Sequence, residues 1–218
     1  MGNEFCIEEN NALDRIIESR RSVRLFKKEK PNKKMIEDII NAGLWSPFAG
    51  LAVSLEEDFR KFYVISGGDE KLIKLNEIIK IHLRKYLEEF KKEMKENSFV
   101  KDKGKNYFKT LSVMVQDGLQ GLIDAPCIII VAEKKGIPAV EKQSLAHVIE
   151  NMWLKTTSLN LGLRLISAIE GLTESREFCE LLGVKYGEYA FNACIIGYPE
   201  NESEKGRRPN VESVTTWL

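Results

Sequence analysis

The sequence predicts an α+β protein, a single sheet with helices packed on it. Three observations point that way. Short apolar runs with strand character lie among longer stretches of helical periodicity. The two kinds do not alternate one for one, which argues against a doubly wound parallel sheet. The 218 residues, 43% of them hydrophobic, suffice for one sizeable core, and no linker or internal repeat divides them, so residues 1–218 read as one domain.

The elements follow in order. Residues 11–20, "NALDRIIESR", put Leu13, Ile16 and Ile17 on one helical face, with Asn10 or Asn11 as cap. In "PNKKMIEDIINAGLWSP", Asn32 caps a helix on which Met35, Ile36, Ile39, Ile40 and Leu44 recur, and Pro47 ends it. "KFYVIS" (61–66) is a strand stopped by Gly67 and Gly68. From Glu70 to Glu96, the residues Leu72, Leu75, Ile79, Leu83, Tyr86, Phe90 and Met94 form one apolar stripe of a long helix, with His82 at its boundary. "NSFVKDKGKNYFK" (97–109) is polar and carries a glycine, so it reads as a mobile loop. "APCIIIVAEKK" (125–135) is the continuous apolar run of a central strand. The helix over 141–162 is apolar on more than one face and is expected to be buried in the domain or in a subunit contact. A strand entering a turn follows at 163–171. Then come a helix at 174–184 with Gly183 as its stop, a strand at 191–199, and a polar, basic tail over 200–218.

Composition narrows the function. Lysine plus arginine and aspartate plus glutamate each number 33, so no uniformly basic surface for nucleic acid is expected. No apolar run is long enough for a bilayer, and "MGNEFCIEENN" does not read as a signal peptide. Cys6, Cys127, Cys179 and Cys194 form no CxxC pair and have no histidine nearby. They read as reduced thiols of a cytoplasmic protein rather than as zinc ligands. Two histidines far apart make a poor triad. Neither GxGxxG nor a Walker lysine motif is present, and "SGGDEK" (66–71) reads as a turn.

Two basic clusters remain, Arg20, Arg21 and Arg24 near the start and Lys205, Arg207 and Arg208 near the end. With Ser22 they make the donor set that holds a phosphate monoester, several cationic side chains plus a hydroxyl. Charge alone also allows both clusters to be solvated.

The order of "IIESRRSVRLF", "IEDIINAGLWSP", "KFYVIS", "IDAPCIIIVAE", "AIEG", "ACIIGYP" and "KGRRP" resembles the FMN-dependent nitroreductase family over about residues 12–217. The resemblance implies a mostly antiparallel sheet flanked by helices, in an intertwined homodimer with FMN at the subunit interface. By resemblance, Arg20 and Ser22 hold the phosphate and ribityl chain, Arg21 contributes through its backbone, and Arg24 lies near the pyrimidine edge of the flavin. Pro47, Phe48, Ala49 and Gly50 lie at the ring. Glu170 and Gly171 form the turn facing flavin N5. Lys205 and Arg207 close on the phosphate, with Arg208 beside them.

The implied activity is NADH- or NADPH-dependent ping-pong reduction of a small electron-poor acceptor, a nitroaromatic, a quinone or similar, with no catalytic side chain and no metal. One departure stands out. Leu51 and Val53 occupy positions where the family carries asparagine and glutamine. That departure keeps a second reading open, a non-catalytic flavin- or nucleotide-binding module derived from the same fold.

Overall fold

The structure is a computed structural model that describes residues 6–48, 59–202, 204 and 206–218. Its centre is a sheet of four strands, β1 (Arg60–Ser66), β2 (Cys127–Lys134), β3 (Gly162–Leu165) and β4 (Tyr189–Gly197). They are ordered β1-β2-β4-β3, and every pair is antiparallel. The expected α+β class and mostly antiparallel sheet are both found.

β2 and β4 are buried on both faces, which explains their unbroken apolar text. Alternation along the pleat divides their side chains between two cores. Ile128, Ile130, Phe191, Ala193 and Ile195 face one of them, together with α3 (Lys71–Glu96), α5 (Lys105–Asp117) and the 3-10 helix Ser167–Glu174. Ile129, Val131, Cys194 and Ile196 face the other, together with α2 (Lys33–Leu44) and α6 (Glu141–Ser158). Asn32 caps α2 as expected, its side chain accepting from the Met35 amide at 2.9 Å.

One expectation changes and two become definite. The 97–109 segment is helical, not a loop. Asn97 caps α4 (Ser98–Lys103) by accepting from the Phe99 and Val100 amides, and α5 follows after Gly104. Phe108, Leu111, Met114 and Val115 carry the apolar stripe of α5, so its period straddles the end of the polar window. The strand expected over 163–171 ends at Leu165, after which Ile169 and Leu172 enter the core from the 3-10 helix. The broad apolar coverage of 141–162 is used within the chain, because α6 packs on α2 and on the sheet. Its outer residues, Lys142, Gln143, His147 and Glu150, are exposed and polar.

Large apolar side chains are exposed elsewhere. Ile7, Leu13 and Ile17 lie on α1 (Ile7–Ser19), with Trp45 after α2 and with Val211, Val214, Trp217 and Leu218 in the tail. Among the described residues no helix is long and apolar enough to cross a membrane.

Candidate functional site

The arginine segment leaves α1 at Arg20 and joins the edge of the sheet. Ser22 bridges Leu163 of β3, and the Val23 amide donates to the Leu163 carbonyl at 3.1 Å. Val23 is buried, which turns Ser22 and Arg24 outward on either side of it. β3 comes this close because residue 162 is glycine, since a Cβ there would lie 2.5 Å from Val23 Cγ2. The Trp153 indole Nε1 donates to the Arg21 carbonyl at 3.1 Å and fixes the segment to α6. Arg20 stacks over the Trp153 ring, 4.8 Å from its centroid. Its Nε stands 3.1 Å from Glu150 Oε1 as an ion pair, not as an aligned hydrogen bond.

The early and late basic clusters meet in space. Arg21 Nε donates to the Glu204 carbonyl at 2.8 Å across 183 positions of sequence. Around Gly206, a Cβ would stand 3.2 Å from Arg208 Nη1 and 3.4 Å from the Arg21 guanidinium carbon. Arg208 also donates to the Arg207 carbonyl, and both Arg207 and Arg208 are exposed. The convergence therefore runs through Arg21 and Arg208.

Beside this segment lies a cavity of about 570 Å³ between α3, α5, β3 and the 3-10 helix. Glu170 and Gly171 line it, as do His82, Tyr86, Tyr107 and Arg164. His82 presses on Gly171 so closely that a Cβ there would lie 2.2 Å from Nε2. Burial pushes the His82 pKa below the usual imidazole value, favouring the neutral ring. The Glu170 carboxylate is held outward by Lys142 at 2.7 Å, and the same hydrogen bond raises the Lys142 pKa. Tyr86, Phe90 and Tyr107 form an aromatic wall, with Phe90 and Tyr107 edge to face at 5.2 Å.

Pro47 and Phe48 lie elsewhere. A buried pair, Arg60 and Glu133, joins β1 to β2 at 2.8 Å, with side chains 1% and 0% exposed. Arg60 also donates to the Gly43 and Ser46 carbonyls at 3.2 Å, to Pro47 at 3.4 Å and to Ser144 Oγ at 3.1 Å. The one Ser144 hydroxyl proton goes to the Pro47 carbonyl at 3.2 Å, which leaves Glu133 Oε1 without a hydrogen-bond partner. Phe48 packs on Phe59 with ring centroids 4.5 Å apart. These contacts sit at the β1 edge of the sheet, whereas the arginine segment and cavity sit at the β3 edge, three strand steps or about 14 Å away.

Sequence reasoning missed Arg60 and Arg164, because a charged residue inside a strand carries no signal of what it faces. Ala49, Gly50, Leu51, Val53 and Lys205 lie outside the described residues.

The model of the Nitroreductase family matches residues 17–198. A nitroreductase with bound FMN from Bacteroides fragilis superposes with a TM-score of 0.69 at 20% identity, covering 94% of this chain and 98% of that one. Iodotyrosine deiodinase bound to FMN and 3-iodo-L-tyrosine gives 0.67 at 20% identity, over 94% and 98%. A nitroreductase with bound FMN from Desulfitobacterium hafniense gives 0.66 at 18% identity, over 95% and 98%. At these identities the likeness is one of fold. No curated protein matches the chain.

Proposed function

The chain belongs to the nitroreductase family, and from that premise we propose that it is an FMN-dependent oxidoreductase working as a homodimer. The convergence of Arg21 and Arg208 around Gly206, beside the outward Ser22, carries the reading. Arg21 Nε and Nη1 already donate to the Glu204, Glu18 and Arg20 carbonyls, so Arg21 Nη2, the Arg208 guanidinium and the Ser22 hydroxyl would be the donors to a phosphate monoester. At about 3.3 Å per extended residue, Arg24 stands at most ~10 Å from Arg21 along the chain, two positions beyond the Ser22–Leu163 bridge, and Arg164, which follows Leu163, lines the cavity with Glu170 and Gly171. The residues thus fit FMN lying along this segment, with its phosphate at Arg21 and Arg208 and its ring towards Gly171.

When bound, FMN would supply hydride chemistry, taking two electrons and a proton from NADH or NADPH and passing them to a small acceptor in a ping-pong cycle. The chain's own residues bind and orient. Arg20 spends its Nε on Glu150 and keeps its terminal nitrogens for the phosphate. Trp153 holds the Arg21 carbonyl and so sets the register of Ser22 and Arg24. Glu170 and Gly171 would lie at the ring, and Tyr86 and Tyr107, which line the same cavity, would help to keep water from it. Acceptors of the nitroaromatic, quinone and halophenol classes all suit so apolar a cavity.

The separation of the two half-sites supports the homodimer. Within one chain, Pro47 is tied to Ser144 while Arg21 is tied to Trp153, and these helix positions stand about 13 Å apart along α6. A second copy would bring its own Pro47 and Phe48 towards the β3 edge of the first. The exposed Trp45, Val211, Val214 and Trp217 supply apolar surface for that contact. Four free cysteines, three of them buried, suit a reducing compartment such as the cytoplasm.

An absorbance spectrum tests the reading first. The purified protein is expected to be yellow, to release FMN on denaturation and to sediment as a dimer. A colourless protein that takes up no FMN on titration refutes it. Anaerobic mixing with NADH or NADPH then separates enzyme from binding module, since bleaching supports the enzyme and a flavin that stays oxidised supports the module.

A further inference from the structure

His82 lines the cavity at the Glu170–Gly171 turn, which lies at the ring in the reading above. It stands on α3, one turn before Tyr86 on the same face, and is half-buried. Its Nε2 rests against Gly171, where a Cβ would come within 2.2 Å of it. The other ionisable side chains lining the cavity are engaged. Lys142 holds Glu170 at 2.7 Å, Arg164 Nη1 donates to the Gln120 carbonyl at 2.5 Å, and the Tyr86 and Tyr107 hydroxyls interact with each other. Among the described residues, His82 alone of this set has no hydrogen bond at either ring nitrogen. Polar groups drawn out of water are ordinarily hydrogen-bonded. An imidazole set in a cavity floored by Leu83, Leu111, Leu122 and Ile166 and left without a protein partner is a donor held for the occupant. Burial keeps the ring neutral, so it offers one N–H without bringing a charge into that apolar space.

We propose that His82 is a catalytic hydrogen-bond donor to the acceptor, and that the cavity is thereby built for quinones, whose reduction leaves charge on an oxygen. The proposal rests on the FMN reading above, which supplies the hydride. Hydride transfer to a quinone forms one O–H bond, turns both C=O bonds into single C–O bonds and leaves one negative charge on the other oxygen. An N–H at that oxygen binds the growing charge more strongly than the neutral carbonyl, so it speeds the step rather than only tightening binding. The hydroquinone monoanion takes its second proton from water as it leaves, and His82 ends in the state in which it began.

The experiment compares the FMN-loaded parent with His82→Leu and His82→Gln. Its first readout needs no turnover, being NMR of the imidazole nitrogens in the oxidised protein. The chain has 2 histidines, and the exposed His147 lies outside the cavity lining and serves as the control. Adding hydroquinone should shift the His82 signals and leave those of His147 in place. The second readout is kcat/KM for benzoquinone set against ferricyanide, which takes single electrons and forms no bond to oxygen. H82L should lose roughly tenfold or more with the quinone, the scale of one hydrogen bond to a charged group, and stay within about threefold with ferricyanide. H82Q, which keeps an N–H donor, should recover most of the loss. A His82 signal that ignores hydroquinone overturns the proposal. So does a quinone loss that ferricyanide matches, which is what a merely structural role against Gly171 would produce. A parent that binds no FMN fails the broader reading and this role with it, and the absorbance spectrum registers that separately.

Discussion

Replacing Arg60 by methionine should unfold the protein more readily than any exposed charge change. The Arg60 Nε and Glu133 Oε2 stand 2.8 Å apart with both side chains out of water. At an effective dielectric of about 20 their attraction is about 6 kcal/mol. Desolvation costs several kcal/mol per ion, so the intact pair is near break-even. Removing one partner is different, because it leaves a bare buried carboxylate and costs about 3–5 kcal/mol. In a chain of this size that corresponds to a fall of about 6–20 °C in Tm.

The pH dependence fixes the mechanism. Burial already raises the Glu133 pKa in the fold, against the pull of the Arg60 charge. A carboxyl raised in the folded state binds more protons there than in the unfolded chain. Stability is therefore greatest at low pH and falls as pH climbs from the unfolded value, about 4.3, through the folded one. Without Arg60 that window extends upward. Arg60→Met should thus lose most at pH 7.5 and less at pH 5.5, by urea unfolding at both. Arg60→Met with Glu133→Leu should recover part of the loss but not all, because the Gly43 and Ser46 carbonyls lose their donor at about 1 kcal/mol each. A single variant within 1 kcal/mol of the parent at pH 7.5, or one that loses more on acidification, would refute this reasoning.

Three further outcomes are expected. Trp153→Phe removes the bond to the Arg21 carbonyl and should weaken FMN binding by about 1 kcal/mol, roughly fivefold by fluorescence titration, with the fold retained; unchanged affinity would detach Trp153 from the site. Gly171→Ala forces His82 aside and should cost about 1–3 kcal/mol in thermal unfolding, most of it regained with His82→Ala; a loss that the second change leaves untouched would point to the backbone instead. In native protein at pH 8 only Cys6 should react with a thiol reagent, since burial pushes Cys127 up to about 12 and raises Cys179 and Cys194; rapid labelling of a second thiol would contradict that packing.

The parts legible in the sequence are those where local pattern and burial coincide. The stripe of α3 faces one core and the unbroken run of β2 is buried on both faces, so their text reads directly. In the 163–171 segment the strand and the turn were legible but not their boundary, because Ile166, Ile169 and Leu172 are as apolar as a strand while their spacing of three belongs to the 3-10 turn that follows Leu165. For the helix over 141–158, apolar breadth left burial in the domain and burial in a subunit contact both open, because it cannot say whether the covering surface belongs to the same chain. At the candidate site, "RRSVR" is the segment that meets the late basic cluster. Which arginine meets the late cluster depends on how the tail folds back past Gly206, a long-range event with no local signal. Arg60 and Arg164 were invisible for the same reason.

The meeting of Gly162 with Val23 constrains how sequences of this kind can drift. Any side chain at 162 pushes the arginine segment off the strand, and any larger residue at 23 does the same from the other side. The two positions, far apart in the text, therefore behave as a single inherited unit. A change at one survives only with a matching change at the other, however freely the surrounding residues are replaced.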